Sequence, residues 1–389
     1  MKQKVFVTAW HPSAANITAP LVKRLVLEDR VLVGVLGTKY TKKVFDKINA
    51  PFLEEESSEP DYSVTSMREK IQNEKADLVI CGASFQEMEK GEVDIPDQTA
   101  IVAARDLGIP SIRVHDYWRD MRKYTDKRTG DLEFVPDVVS VIDDYARSRL
   151  VSAGLPSDRI VVAGNPEADS LRSKIEKFNK SRRKEVREVV GLREDEVAFV
   201  YSGGVEWKRE ARNLGYWTLD NLTNLVDVMR YQRNPDIGVL VTLHPRMSDE
   251  DREEVADYLK KNNDYRIRVV DGFFDKGVDT EDLSLATEGV MTAFSTVGIK
   301  AAWMGRPVIS LQPNLVRPVQ FENGEVEFWT DNKDYLPVAL DDKESKYLIN
   351  KMLSDRGFRK RSVETARNSP VALGKGSEGV VELVYNLLP

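Results

Sequence analysis

The chain has 389 residues, 41% of them hydrophobic and 31% charged, with a formal net charge of -7. That length exceeds one ordinary core and predicts two domains, while the acidic balance gives no bulk attraction for nucleic acid or anionic lipid. One cysteine, Cys81, excludes an internal disulfide, and with only three histidines, His11, His115 and His244, neither a thiolate nor a histidine metal site is expected.

In chain order, "KVFVTA" (4–9) predicts a buried strand and "SAANITAPLVKRLVLED" an amphipathic helix with Ser13 as its cap. "RVLVGVLG" (30–37) is a second strand, "TKKVFDKI" a helix, and the acidic, proline-bearing 51–63 a solvated loop. "ADLVICGAS" (76–84) is a strand, and "DQTAIVAARDLG" a helix ending at Gly108. Strand readings follow at "IPSIRV", "DVVSV" and "RIVVAG", with a helix between the last two. The charged stretch 167–191 reads as long helix, its "KSRRK" cluster as a solvated face rather than a polyanion site. The rhythm then restarts with strands "VAFVYS", "IGVLVT", "YRIRVV", "VMTAFS" and "PVISLQ", separated by helical patterns, and the chain closes on the helix "GSEGVVELVYNLL".

Strands alternating with helices imply two doubly wound parallel sheets of Rossmann-like α/β type. Such sheets bind ligands at the carboxyl ends of their strands. The domains are read as 1–166, 167–370 and a terminal helix 371–389 that crosses back to the first. The amino-terminal stretch carries no small-residue cleavage pattern, and no run nears the roughly 20 apolar residues of a spanning helix, so a cytoplasmic protein without a membrane span is expected.

Chemistry-bearing residues fall where strands end. "SGGVEWKR" offers Gly203 and Gly204, whose bare backbone admits a phosphate or sugar, with Arg209 following; a tight turn alone is the alternative. "LHPR" places the donors His244 and Arg246 after a strand. "FSTVG" puts Ser295 and Thr296 at a helix start, where they either cap the helix or cradle an anion. "VHDYWR" gives His115, Asp116, Trp118 and Arg119: a base candidate, a stacking ring and a cation, or a surface turn with a salt bridge. His11, Ser13 and Asn16 follow the first strand and Ser84 the third, as acceptor-side residues. Asp143, Asp144 and Asn165 also follow strands, Asn165 and Pro166 reading as a hinge and Asp169 as a helix cap. "TAWHPSAAN" lacks the glycines of a dinucleotide fingerprint, so no such cofactor is expected.

In order, "GNPEADSL", "VYSGG", "LHPR" and "FSTVGIKAAWMGRPVIS" resemble segments of the glycosyltransferase B superfamily, near the non-hydrolysing UDP-N-acetylglucosamine 2-epimerases and the capsule and envelope glycosyl- or glycerophosphotransferases. The resemblance covers most of the chain. It implies two Rossmann-like domains facing a cleft, a nucleotide-sugar donor held mostly by the second and a hydroxyl acceptor by the first. It implies metal-independent sugar transfer without a cofactor, Asp116 as base with His115 or His11 as substitutes. Diphosphate contacts would come from Gly203, Gly204, Arg209, Ser295 and Thr296, with His244 and Arg246 on the nucleotide; a homodimer stays open. Nucleotide-sugar 2-epimerisation is the alternative reaction, and a non-catalytic nucleotide-sugar-binding protein the alternative class. Two departures stand out. Lys300 occupies the position where many members place a ribose-binding glutamate, and an ammonium cannot accept a hydroxyl proton, so Lys300 is read as a donor-side residue that would meet a phosphate instead. "DYW" stands where the epimerases carry glutamate, alanine and glycine.

Overall fold

The strand-forming runs are apolar on both faces, and each face packs under its own helix layer. In the first strand, Val5, Val7 and Ala9 enter one core while Phe6 enters the other, the two-residue alternation of a sheet covered on both sides. The computed structural model describes residues 2–53, 61–84, 95–118, 121–126, 129–204, 208, 211–244, 247–270, 273, 276–293, 295–315, 336–367 and 375–389. Arg119, Arg209 and Arg246 lie outside the described residues, as does most of the acidic loop reading.

Two compact units form, one from Met1–Ser170 with Pro370–Pro389 and one from Leu171–Ser369. The first unit contains β1 (Gln3–Ala9), α1 (Pro12–Glu28), β2 (Val31–Gly37), α2 (Lys39–Asp46), β3 (Phe52–Leu53), α3 (Val64–Asn73), β4 (Leu78–Cys81), α4 (Pro96–Leu107), β5 (Ser111–Val114), β6 (Val138–Val141), α5 (Asp144–Ser152) and β7 (Ile160–Val162). Its seven strands are all parallel, in the order β3-β2-β1-β4-β5-β6-β7. Sequence order reverses between β1 and β4, the switch point at which an α/β sheet opens a crevice.

α6 (Pro166–Lys177) passes into the second unit, which continues with α7 (Lys180–Val189), β8 (Val197–Ser202), α8 (Ala211–Leu214), α9 (Thr218–Tyr231), β9 (Ile237–Thr242), α10 (Asp249–Asn262) and β10 (Ile267–Val269). Then come α11 (Thr280–Ala286), β11 (Val290–Thr292), α12 (Thr296–Trp303), β12 (Val308–Leu311), β13 (Val338–Ala339), α13 (Asp342–Ser354) and α14 (Arg356–Arg367). The last helix, α15 (Gly376–Leu387), belongs to the first unit. The second sheet is parallel too, ordered β10-β9-β8-β11-β12-β13, with its switch between β8 and β11. The expected doubly wound, Rossmann-like α/β class is what the chain folds into.

Local differences have local causes. The cap of α1 is His11 rather than Ser13, because Pro12, whose missing N–H suits the first helical turn, starts the helix earlier. The stretch 167–191, read as long and helical and as a linker plus the first helix of a second domain, is two helices, since Asn179 accepts a hydrogen bond from the Arg182 amide and caps a new helix. Gly108 ends α4 in the left-handed conformation at φ 68°, as glycine favours there. Among the described residues no helix is long and apolar enough to cross a membrane.

Candidate functional site

The carboxyl edge of the second sheet is assembled from three strand ends. β8 runs out at Ser202 into Gly203, whose amide donates to the Thr242 carbonyl at 2.8 Å. A side chain on Gly203 would sit 3.2 Å from that same oxygen, a tight approach that a bare backbone relieves. β9 ends at Thr242 and leads to half-buried His244, whose carbonyl accepts from Arg252 at 2.7 Å and from the Met247 amide at 2.9 Å. β11 ends at Thr292, whose hydroxyl donates to the Ser202 carbonyl at 2.8 Å and ties the two strands flanking the switch.

One residue past Ala293 and Phe294, Ser295 caps α12: its Oγ accepts from the Val297 amide at 3.3 Å. Its own amide donates to the Thr292 hydroxyl at 3.4 Å. The inner face of α12 is fixed by buried Gly298, Ile299, Ala301 and Ala302, leaving Thr296 exposed at its start. The Ser295 cap satisfies the Val297 amide, and a helix start of this kind presents its remaining first-turn amides and the positive end of its dipole. Gly203, Gly204, Ser295 and Thr296 thus converge at one switch point, with His244 on the neighbouring strand end.

Lys300 follows Thr296 by one turn and shares its helix face. Its ammonium pairs with Glu281 at 3.1 Å, both side chains 16% exposed. α11 follows a strand, so its amino end also lies at the carboxyl edge. Glu281 sits in its first turn, where Thr280 donates to its second oxygen at 3.3 Å. Burial pushes the Glu281 carboxyl up, but the Lys300 charge, joined by Lys174, outweighs this and holds it below its usual value. Lys174 in turn pairs with Asp279, the α11 cap, and lies 3.4 Å from Asp282. Sequence reasoning singled out Lys300 but missed Glu281. Its place in "TEDLSLA" carries no spacing signal, and only the packing of α11 beside α12 brings the two charges together.

In the first unit, the edge at β1, β4 and β5 is braced from within. The His11 amide donates to Ser84 Oγ at 2.9 Å, and the Ser84 amide to Asp97 at 3.1 Å. Ser84 is fully buried, so it joins the two strand ends instead of facing an acceptor. His11 is half-buried, and Ser13 and Asn16 are exposed on the first turns of α1. His115 is wholly buried: Tyr124 shares a 2.9 Å hydrogen bond with its Nδ1, and burial, then the Lys123 and Arg113 charges, keep it far below its usual pKa. A neutral, enclosed imidazole of this kind braces the fold and does not reach a substrate. Trp118 is 2% exposed and donates to Asp143 at 2.7 Å, so its ring packs in the core rather than against a sugar. Asp143 itself caps α5, and burial raises its carboxyl.

Asp116 differs from these neighbours. It is partly exposed, and it pairs with Lys123, whose side chain is 4% exposed, from the turn Met121–Lys123. Lys123 was not picked out in the sequence, where "DMRKYTDKR" hides it in a run of like charges. Asn165 accepts from the Glu167 amide at 2.9 Å and opens α6. Asp169 receives amides of Gly376 and Ser377, so it caps the last helix rather than the next one. Among the described residues, no group of three or more His, Cys, Asp or Glu side chains could hold a metal.

Comparison with solved structures places this geometry. The UDP-GlcNAc 2-epimerase of Neisseria meningitidis bound to UDP-GlcNAc is similar over 99% of this chain and 100% of its own, with TM-score 0.71 and 13% identity. The S. aureus MnaA structure with UDP is similar over 99% and 97%, at TM-score 0.66 and 17% identity. Anabaena HepE in complex with UDP and glucose matches over 99% and 100%, at TM-score 0.66 and 13% identity. The chain shares its fold with these solved structures over nearly its whole length. No family model matches the chain, and no curated protein matches its sequence.

Proposed function

We propose that the chain binds a nucleotide sugar and rearranges that sugar, with 2-epimerisation as the reaction. The resemblance in sequence implied transfer to an acceptor first and epimerisation second. The similar structures named for a reaction are UDP-GlcNAc 2-epimerases, which reverses that order. The observation that carries the reading is the start of α12, where the Ser295 cap and Thr296 follow β11, the strand paired with the β8 that runs out into Gly203, at the switch of a parallel sheet. A diphosphate is suited to that position, because aligned amides and a helix dipole stabilise its charge without a metal.

In this reading Gly203, Gly204, Ser295 and Thr296 hold the diphosphate, and His244 donates to the nucleotide or its phosphates; Arg209 and Arg246 are assigned there from sequence alone. Lys300 cannot accept ribose hydroxyl protons, and Glu281, held by Lys300, takes that part. Asp116 is the proposed base, its carboxylate oriented by Lys123. Epimerisation needs a carbon–hydrogen bond broken and remade, so a base that exchanges its proton with water leaves a trace.

Two measurements test this. Calorimetric titration with UDP should give a Kd below about 1 mM, within the usual range for enzyme substrates, and the pair Ser295→Ala with Thr296→Ala should weaken it about tenfold. UDP-N-acetylglucosamine incubated in D2O should then gain deuterium at sugar C2 with no acceptor present, and Asp116→Asn should stop this while UDP still binds. Absence of UDP binding removes the site. Binding with turnover only when a hydroxyl acceptor is added returns the assignment to transfer.

A further inference from the structure

The basic "KSRRK" cluster has no part in the nucleotide-sugar site, yet it borders a cavity. α7 carries Lys180, Arg183, Lys184 and Arg187 at helical spacings of three and four, and together with the turn before β8 they line a cavity of about 500 Å³. That turn precedes the first residue of β8, so the cavity lies at the amino edge of the second sheet. The strand of six residues puts it roughly 20 Å from the carboxyl edge. Two carboxylates, Glu188 and Glu194, share the lining, so cations exceed anions four to two. Glu188 is matched by Lys184 at 3.8 Å.

Arg187 makes the cavity more than a solvated helix face. It is 2% exposed, and its terminal nitrogens donate to the carbonyls of Ala286, Arg193 and Glu196, not to a carboxylate. Its Nε is buried with no partner among the described residues. Burial, then the neighbouring Arg183 charge, pulls this guanidinium below its usual pKa, although Glu196 and Glu288 oppose the shift. Nearby, half-buried Arg306 feels Glu288 first and then the charge of Arg183, and its buried Nε has no partner among the described residues. Arg183 reaches Glu288 only at 3.5 Å. The lining holds an excess of positive charge, four cations to two carboxylates, in a chain that is acidic overall.

We propose that this cavity binds linked phosphates, as an anion site separate from the nucleotide-sugar site. Its volume lies in the range that holds a small ligand, and among the described residues six of the seven lining side chains are charged, Leu192 being the apolar one. The row from Lys180 to Arg187 extends about 10 Å along the helix, longer than one phosphate and matched by a chain of several. Ammonium and guanidinium groups in such a row give charge-assisted hydrogen bonds to successive phosphates.

The test titrates inorganic tripolyphosphate into the full chain by calorimetry at two salt concentrations. Wild type should bind, more weakly at high salt, and the triple variant Lys180→Gln, Arg183→Gln, Lys184→Gln should lose at least tenfold in affinity. Arg187 is left in place because it holds backbone carbonyls, and the replaced groups lie at the surface or half-buried, so an unchanged melting temperature checks the fold. The pair Ser295→Ala with Thr296→Ala should leave tripolyphosphate affinity unchanged. No binding by wild type, equal binding by the triple variant, or a loss confined to the Ser295 and Thr296 pair each overturns the site. UTP, run in parallel, separates sources: a matching loss in the triple variant assigns a nucleotide tail, and a loss for tripolyphosphate alone assigns inorganic polyphosphate.

Discussion

Adjacent residues at the end of β5 show how burial divides similar candidates. His115 and Asp116 are neighbours in sequence, but the imidazole is enclosed and the carboxylate is not. Because the folded pKa of His115 is depressed, the unfolded chain binds a proton there that the folded chain refuses. The stability this residue supports is complete above its ordinary 6.5 and is lost as pH falls below it. Urea melts at pH 7 and pH 5 should therefore differ less in His115→Asn than in wild type, by up to about 2 kcal/mol. Lys123 and Arg113, which face the ring, remain in both proteins, and an identical pH dependence would show that His115 does not titrate in this way. Cys81 gives a second reading of the same core. Burial pushes its thiol up to about 12, with Arg113 lowering and Asp97 raising it, so it should not react with a disulfide reagent in native buffer. One equivalent should react on unfolding. The apolar run 76–84 reads as a buried strand and so encloses Cys81, but nothing in "VHDYW" tells an enclosed His115 from one at the surface; that depends on which helix lies over the strand end.

At the scale of elements, the strands were legible because a both-sided sheet writes continuous apolar runs, and β1, β2, β4, β8, β9 and β11 fall where those runs lie. β13, α13 and α14 were not read from 313–370, where short strands and charged helices leave no comparable run. The start of α12 was legible as a cap from "FST", whereas the pairing of α12 with α11 was not, because Glu281 and Lys300 are 19 residues apart and joined only by packing. That pairing carries a prediction. Lys300→Met leaves the Glu281 carboxylate half-enclosed without its main counter-charge and should cost about 1–3 kcal/mol of stability. Adding Glu281→Gln should restore part of it, and a double-mutant cycle that returns no coupling would show the pair to be incidental. The same Glu281→Gln change should narrow the preference for UDP over its 2′-deoxy analogue if this carboxylate receives the ribose hydroxyl.

At the scale of the whole molecule, the chain's last helix completes its first unit. Val380, Val381 and Val384 of α15 are buried in the core shared with α1, and Tyr385 donates to Glu28 at 2.8 Å while Arg30 stacks on its ring at 3.7 Å. The helix approaches so closely that a side chain on Gly376 would meet the Asn165 backbone at 2.1 Å, and Asp169 caps its exposed amides. Burying each of three valines stabilises by about 1.5–3 kcal/mol, so their sum is comparable to the roughly 5–15 kcal/mol that holds an entire domain folded. A chain ending at Lys375 should therefore lose the first unit, although the residues removed lie some two hundred positions from α6. Cys81 reports this directly, since it is the single thiol and belongs to that unit. The truncated chain should react with the disulfide reagent in native buffer as the intact chain does only in denaturant, and Gly376→Ala should show the same effect at lower temperature than wild type. A truncated chain whose Cys81 stays protected would mean that α1 covers the sheet without its partner helix, and that the closing helix adds area without deciding whether the unit folds.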